Sequence, residues 1–201
     1  MQGVLAAEPT LYNRNWHPVF QRDNPIHIEI GMGKGEFLTT MAANHPEIDF
    51  VGIERTLTIM HIAAMKYQRN PLPNLRLLPA DAVELELYFQ PAQVERIYLN
   101  FSDPWPKQKH KERRLTAREK LAVYRRILKP GGQIHFKTDQ ESLFDFSLRE
   151  LIREGWSAGK ITRDLHRSSF EGNVLTEYER RFAGLGQPIY RLVAWRAFDE
   201  E

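Results

Sequence analysis

The chain has 201 residues and a formal net charge of +2, and 42% of the residues are hydrophobic, which suffices for one domain with a buried core. Because it contains no cysteine, disulfides, thiolate metal sites and cysteine nucleophiles are excluded, and the seven histidines lack the paired spacing of a metal site. No apolar run reaches the ~20 residues that span a bilayer, and Met1 to Pro9 do not resemble a signal peptide. We therefore expect a cytoplasmic protein without a metal or a membrane partner.

Residues 1–25 show no sustained hydrophobic period and predict a loosely structured N-terminal segment, followed by a single domain over residues 26–201. The basic charge is local, because Lys107 to Lys129 hold ten Lys or Arg against two Glu. Such a segment is typical of a polyanion-binding site, and a solvated basic helix is the alternative interpretation.

The first regular pattern is a strand, a glycine turn and a helix. Alternating isoleucines from Ile26 to Ile30 predict the strand, and a helical pattern runs towards Pro46 after three glycines at Gly31, Gly33 and Gly35. Glycines in such a turn let a ligand approach the backbone, and the helix start offers free N–H groups. The turn therefore favours a nucleoside-type cofactor, although a turn that only connects the two elements is the alternative. Glu36 breaks the NAD fingerprint, and no P-loop is present.

Two further acidic residues follow predicted strands. The strand Phe50 to Ile53 ends at Glu54, where doubly wound folds hold ribose hydroxyls, and the strand Leu75 to Leu78 is followed by Asp81 and Ala82. Asp81 is placed to accept a hydrogen bond from an adenine amino group. The alternatives are a surface ion pair of Glu54 with Arg55 or Arg69, and helix capping by Asp81.

A fourth strand, Val94 to Phe101, runs into the segment Asn-Phe-Ser-Asp-Pro-Trp-Pro-Lys at 100–107. Two prolines exclude a central strand or helix interior, so we predict a rigid loop at the carboxyl edge of the sheet. It displays Asp103 over the cofactor site beside the basic segment. Trp105 either stacks on an unpaired base or packs under the edge of the sheet.

The remaining elements continue the alternation of helices and strands. We predict helices over 117–128, 141–154 and 176–185, a turn at 129–132, and strands at 133–137, around Ile161 and over 190–198, with Asp139 at another strand tip. This order predicts a three-layer, doubly wound α/β fold with a mostly parallel sheet.

Over Ile26 to Ala197 the sequence resembles the bacterial tRNA (guanine-N7-)-methyltransferase family. Four stretches carry the resemblance: Glu-Ile-Gly-x-Gly-x-Gly-Glu-Phe at 29–37, Gly-Ile-Glu at 52–54, Asn-Phe-x-Asp-Pro-Trp-Pro-Lys-x-x-His at 100–110 with Arg-Arg-Leu-Thr at 113–116, and Thr-Glu-Tyr-Glu at 176–179 with Arg-Phe at 181–182. The resemblance implies a Rossmann-like class I methyltransferase whose seven-stranded sheet has an antiparallel last strand. It also implies methyl transfer from S-adenosylmethionine to N7 of guanine, usually guanine 46 in the tRNA variable loop, by a monomer or a homodimer.

The resemblance and the motifs assign residues to three groups. We expect the cofactor site to be lined by Glu29, Gly31, Gly33, Gly35, Glu54, Asp81, Ala82, Asn100 and Asp103, with Asp103 as the catalytic residue. The substrate is expected at Lys107, Asp139, Thr176, Glu177, Tyr178 and Glu179, and RNA at Lys109, His110, Lys111, Arg113 and Arg114. Glu112 stands where the family is commonly basic, and the N-terminal segment is short and unlike the basic extensions of many relatives.

Guanine N7 carries no proton and exposes its lone pair in the major-groove edge, so methyl transfer to it needs no general base. Positioning is the main task, and Asp103 or Asp139 is suited to hydrogen-bond the N1–H and 2-amino groups as the ring becomes cationic. Three alternatives remain. They are adenine N6 methylation, whose loop pattern Trp105 interrupts, an RNA-binding module with a relict cofactor fold, and a nucleotide-dependent oxidoreductase.

Overall fold

The computed structural model describes residues 13–183 and 186–196 of the chain. In this part the strands are β1 Ile26–Ile30, β2 Asp49–Ile53, β3 Leu75–Leu78, β4 Val94–Asn100, β5 Leu128–Thr138, β6 Ser157–Thr162 and β7 Tyr190–Trp195. The α-helices are α1 His17–Phe20, α2 Glu36–Asn44, α3 Leu57–Arg69, α4 Arg118–Ile127, α5 Glu141–Arg153 and α6 Glu177–Ala183. Short 3₁₀ turns occupy Leu85–Leu87, Gln108–Arg113 and Leu165–Arg167.

The strands form one sheet in the order β3-β2-β1-β4-β5-β7-β6. Strands β1 to β5 are parallel to one another, and β7 runs antiparallel to both β5 and β6. The predicted fold class and the antiparallel last strand are confirmed. Because the strand order reverses between β1 and β4, their carboxyl ends flank the crevice where such sheets bind ligands.

Helices cover both faces of the sheet, so the central strands are buried on both sides. Every residue of β1 and β2 is buried. One core lies under α1, α4 and α5, and the second lies under α2 and α3. None of the described helices is long and apolar enough to cross a bilayer.

Residues 13–25 are more ordered than the sequence predicts. Trp16 is fully buried, its ring stacks on Phe89 with centroids 5.1 Å apart, and its Nε1 donates to the Tyr88 carbonyl at 2.9 Å. Phe20 joins the same core from helix α1. This part of the N-terminal segment is therefore packed against the domain by two aromatic side chains, and residues 1–12 lie outside the described part.

Strand β5 begins earlier than the sequence predicts, because the expected turn at 129–132 lies within it. Gly131 has φ of 73°, and it donates to the Arg196 carbonyl at 3.3 Å while Arg196 donates to that of Gly132 at 3.0 Å. The register to β4 shifts between Val94 and Arg96. The glycines therefore form an irregularity inside a strand, since only glycine adopts this backbone without steric cost.

Two predictions about the carboxyl-terminal elements extend past the described residues. Helix α6 begins at Glu177 and ends at Ala183, so the predicted end at Leu185 lies outside the described residues. Strand β7 ends at Trp195, and the predicted extension to Phe198 also falls outside them.

Candidate active site

The glycine turn after β1 forms the floor of the candidate site. Gly31, Gly33 and Gly35 have φ of 73°, 58° and 76°, which glycine adopts without steric cost. A Cβ on Gly35 would lie 2.9 Å from the Tyr67 hydroxyl, whereas a Cβ on Gly33 would meet nothing within 4 Å. Gly35 is thus required for packing, and Gly33 borders open space that a ligand can enter.

The acidic residues after β2 and β3 both hydrogen-bond nearby backbone. Glu54 accepts from the Gly33 N–H at 3.3 Å and from the Thr56 N–H at 2.8 Å, which joins the tip of β2 to the glycine turn. Asp81 accepts from the Val83 N–H at 3.3 Å and pairs with Arg55 at 3.4 Å. Arg55 therefore pairs with Asp81 rather than with Glu54, and Asp81 stabilises a turn rather than the start of an α-helix.

Two adjoining clefts open at the carboxyl ends of the strands and share Gly31, Ile59 and Phe101 in their walls. The larger, of about 860 Å³, contains five of the predicted cofactor residues, namely Gly31, Glu54, Asp81, Ala82 and Asp103. The smaller, of about 380 Å³, shares Gly31 and contains the other predicted cofactor residues and part of the predicted substrate group, namely Glu29, Gly33, Gly35, Asn100, Thr176, Glu177 and Tyr178. The structure thus brings the whole predicted cofactor group to one edge of the sheet.

Glu29 is the most perturbed carboxylate of this edge. It is 2% exposed, and one carboxylate oxygen accepts from the Asn100 side chain at 2.8 Å while the other has no hydrogen-bond partner. Burial raises the pKa of Glu29 to about 8, opposed by the Asn100 hydrogen bond and by Lys137. A buried carboxylate with one free oxygen in a cleft wall is a suitable partner for a cationic ligand group.

The loop that carries Asp103 has a strained backbone, and Arg114 stabilises it by hydrogen bonds. Phe101 and Trp105 have φ of 50° and 41°, a left-handed backbone that non-glycine residues seldom adopt. Arg114 donates from Nε to the Pro104 carbonyl and from Nη2 to the Trp105 carbonyl, each at 3.0 Å. Its guanidinium also lies 4.2 Å from the Phe146 ring centroid. This loop therefore exposes Asp103 from a fixed backbone.

The predicted RNA contacts divide into two groups. Lys109, Lys111 and Arg113 are exposed, and the Arg113 guanidinium lies 4.8 Å over the Trp105 ring. His110 is half-buried against the same ring, with centroids 5.9 Å apart. Arg114, by contrast, is 7% exposed and directed into the protein, because the loop carbonyls take its N–H groups. The position of Arg114 does not fit the RNA contact expected from the sequence.

The predicted substrate residues are also divided between surface and interior. The Tyr178 hydroxyl donates to Asp139 at 3.2 Å, and its ring lies 5.1 Å from that of Phe101. Glu177 is exposed and pairs with Lys34 at 3.1 Å, and Lys107 is exposed outside both clefts. Tyr178 thus lines the smaller cleft, and Asp139, which lines neither cleft, is hydrogen-bonded to it; these two residues form a polar rim beside the smaller cleft.

Glu179 lies beneath this rim rather than on it. It is fully buried and pairs with Lys137 at 2.8 Å, and its backbone N–H donates to the Thr176 hydroxyl at 2.9 Å. Lys137 also donates to Asn173 and to the Val174 carbonyl, each at 3.1 Å. Lys137 was not among the site residues predicted from the sequence. A lysine at the carboxyl end of the predicted central strand was the available signal, because a buried lysine requires an acidic partner.

The comparisons with known proteins agree with this geometry. A family model described as a putative methyltransferase matches residues 23–192. A tRNA (guanine-N(7)-)-methyltransferase of Enterococcus faecalis is 50% identical over 186 residues, which cover 92% of this chain and 87% of the relative. One of Bacillus subtilis is 45% identical over 96% of this chain and 91% of the relative. The chain belongs to the tRNA (guanine-N7-)-methyltransferase family.

Solved structures resemble this family member in fold. The antibiotic-resistance methyltransferase Kmr superposes with a TM-score of 0.64 at 17% identity, covering 94% of each chain. The 16S rRNA (adenine(1408)-N(1))-methyltransferase of Catenulisporales acidiphilia, solved with cosubstrate SAM, gives 0.65 at 16% identity over 96% of this chain and 93% of that one. At these identities the likeness shows a shared class I methyltransferase fold.

The residues of this methyltransferase fit the cosubstrate of its fold class. S-adenosylmethionine carries a sulfonium, an ammonium, ribose hydroxyls and an adenine amino group, all of which pair with acceptors. The unpartnered oxygen of Glu29 and the open space beside Gly33 suit its charge and its close approach to the backbone. Among the described residues, no cluster of His, Asp or Glu is arranged to hold a metal.

The buried ion pair of Lys137 with Glu179 predicts that Glu179 contributes more to stability than Glu177 of the same helix. Replacing Glu179 by Gln leaves the Lys137 ammonium buried without its counter-charge, so we expect the free energy of unfolding to fall by about 3 to 5 kcal/mol. Urea unfolding followed by circular dichroism measures the change. The matched control is Glu177→Gln, whose exposed ion pair is worth about 1 kcal/mol or less. Equal stability of the two variants would contradict the assignment.

Proposed function

We propose that this protein transfers the methyl group of S-adenosylmethionine to N7 of a guanine in tRNA, at position 46 of the variable loop. The observation that carries the proposal is the strained loop with Asp103, which stands between two acidic clefts and an exposed basic segment. The names of the relatives support the reaction, and the shared motifs support the position in tRNA.

We assign the adenosine to the larger cleft and the methionine to the smaller one. Glu54 accepts from the ribose hydroxyls, Asp81 accepts from the adenine amino group, and Glu29 binds the cationic methionine end with its unpartnered oxygen. The positive φ of the glycines lets backbone N–H groups face the same ligand. When bound, the cosubstrate supplies an electrophilic methyl group. The protein's task is to align that group with the guanine.

The target guanine is assigned to the rim formed by Asp139 and Tyr178. N7 has a free in-plane lone pair, so these residues do not have to remove a proton. Asp103 and Asp139 have carboxylates that accept from N1–H and the 2-amino group. Because the purine becomes cationic as the methyl group transfers, a fixed carboxylate stabilises the transition state more than the ground state. Asp103 is the catalytic residue in this sense.

The tRNA backbone is assigned to Lys109, Lys111 and Arg113, which are exposed next to the catalytic loop. Arg114 receives a positioning role, because its two hydrogen bonds fix the carbonyls that follow Asp103. Trp105 is packed under Arg113 and His110, which supports a structural role for its ring over stacking on a base.

Replacing Asp103 by Asn should lower kcat/KM for tRNA methylation by about 100- to 1,000-fold, because the site loses a charge aimed at the developing cation. The measurement is 7-methylguanosine formed in tRNA, by mass spectrometry, with the melting temperature recorded alongside. Asp23→Asn is the control, since Asp23 is exposed and far from the clefts. A folded Asp103 variant with nearly normal turnover would remove Asp103 from the mechanism.

Affinity for S-adenosylmethionine should rise with pH, close to tenfold per unit between about pH 6 and about pH 7.5. The sign follows from Glu29, whose pKa is raised to about 8, so it is mostly protonated in this range. A cation binds the ionised carboxylate, so binding releases a proton and becomes tighter as pH rises. Calorimetric titration at several pH values measures the dependence. Glu29→Gln should abolish it, and a flat wild-type profile would argue against this contact.

Arg113→Ala and Arg114→Ala should separate RNA contact from positioning. Removing one phosphate contact should reduce the slope of log affinity for tRNA against log salt by about 0.7 to 0.9. We expect this reduction for Arg113→Ala alone. Arg114→Ala should keep the wild-type slope and lower the methylation rate at saturating tRNA. Filter binding at several salt concentrations gives the slopes, and an equal reduction in both variants would restore Arg114 to the RNA-binding group.

A further inference from the structure

Basic side chains line one face of the sheet where β4, β5 and β7 run side by side. The register places Tyr98 beside His135, Asn100 beside Lys137, and Lys137 beside Arg191. Because alternate residues of a strand share a face, Arg96 of β4 lies on this same face. The opposite face carries apolar side chains and packs under α4 and α5. The basic residues therefore form a surface distinct from the edge that holds the clefts.

This surface is the floor of a cavity of about 200 Å³. Phe37 and Met41 of α2 form one side, and the segment Phe170 to Val174 forms another. Three cationic side chains line it, those of Arg96, Lys137 and Arg191, and none of the described lining residues is Asp or Glu. The volume is several times the roughly 30 Å³ of a water molecule in the liquid. The cavity has space for a small anionic group.

Only one of these three cations is neutralised by the protein. Lys137 pairs with Glu179 at 2.8 Å, but neither Arg96 nor Arg191 has a carboxylate within 4 Å in the described part of the chain. The Nη1 of Arg96 donates to the Tyr98 hydroxyl at 3.3 Å, and its buried Nε has no partner. Arg191 is buried and Arg96 is half-buried. A cation withdrawn from water without a counter-charge is costly, so these two guanidinium groups are suited to bind an anion.

Arg191 is buried but has few hydrogen-bond partners within the protein. It is 5% exposed, makes one long hydrogen bond of 3.4 Å to the Lys160 carbonyl, and lies 3.8 Å over the Phe170 ring. Burial and the nearby Arg96 lower its pKa, and the pKa of His135 falls far below its usual value through burial and the same two arginines. The cavity therefore has a positive potential that no described carboxylate cancels.

We propose that this cavity binds a phosphate group through the guanidinium groups of Arg96 and Arg191, and that the phosphate belongs to the tRNA backbone next to the target guanine. Planar guanidinium groups match phosphate oxygens in pairs, and Arg is favoured for this reason over Lys. The cavity shares Phe37 and Asn100 with the smaller cleft, so a guanine held at the rim of that cleft has its neighbouring phosphate within reach. The tRNA source rests on the proposed function.

The first test uses inorganic phosphate with the full chain. Thermal unfolding is measured in increasing phosphate and in chloride of equal ionic strength. Phosphate should raise the melting temperature of the wild type and of the control Arg153→Gln, whose side chain is 71% exposed on α5. Arg96→Gln should lose the phosphate-specific part of the rise. Arg191→Lys is a second variant that keeps the charge and removes the planar fork, and it should also lose most of the rise.

The second test measures tRNA affinity against salt. Arg96→Gln should reduce the log–log slope by about 0.7 to 0.9 and leave the affinity for S-adenosylmethionine unchanged, while Arg153→Gln keeps the wild-type slope. A wild type that phosphate stabilises no more than chloride overturns the site. If phosphate stabilises the wild type but Arg96→Gln keeps the wild-type salt slope for tRNA, the cavity binds free phosphate. That result overturns the assignment of the phosphate to tRNA. If the wild type makes no 7-methylguanosine, the proposed function is refuted. The phosphate test measures thermal unfolding and does not depend on methylation activity.

Discussion

The buried ion pair between Lys137 and Glu179 joins the parts of the molecule on which the candidate site depends. Lys137 stands at the carboxyl end of β5, and Glu179 stands in α6, an element 42 positions later in the chain. Removing two charges from water is costly, and the pair is compensated here by Asn173 and the Val174 carbonyl. The pair fixes α6 against the sheet, and Tyr178 of α6 thereby lines the smaller cleft.

The loop that carries Asp103 is also held by a buried cation. Two residues with left-handed backbone, Phe101 and Trp105, flank Asp103, and each such residue costs about 1 to 3 kcal/mol. Arg114 stabilises that backbone through two carbonyls and is itself packed on Phe146 of α5. Backbone strain on either side of Asp103 is therefore balanced by a buried cation that lines neither cleft. A loop built in this way presents Asp103 at one position instead of several.

The features that the sequence predicted correctly are those that depend on neighbouring residues in the chain. Strand tips, the glycine turn, Glu54 and the loop with Asp103 follow from hydrophobic period, glycine spacing and proline, all of which act over a few residues. The sequence did not predict which way Arg114 and Glu179 point, because their partners are set by packing between elements. The burial of Trp16 is of the same kind, since the carbonyl it binds is 72 positions away. A motif identifies a residue as important, and only the tertiary structure tells whether it contacts the ligand or supports a residue that does.

The arrangement of charge follows from the two substrates that the family brings together. S-adenosylmethionine is a cation at its reactive centre, and tRNA is a polyanion, so a single surface cannot attract both. In this protein the strand tips carry carboxylates in the clefts, while Lys109, Lys111, Arg96 and Arg191 line neither cleft. Lys137 lies between the two regions and is neutralised by Glu179. Arg96 and Arg191 have no such acid among the described residues, although they lie on the same sheet face. The one difference between these neighbouring cations is therefore whether the protein or a ligand supplies the counter-charge.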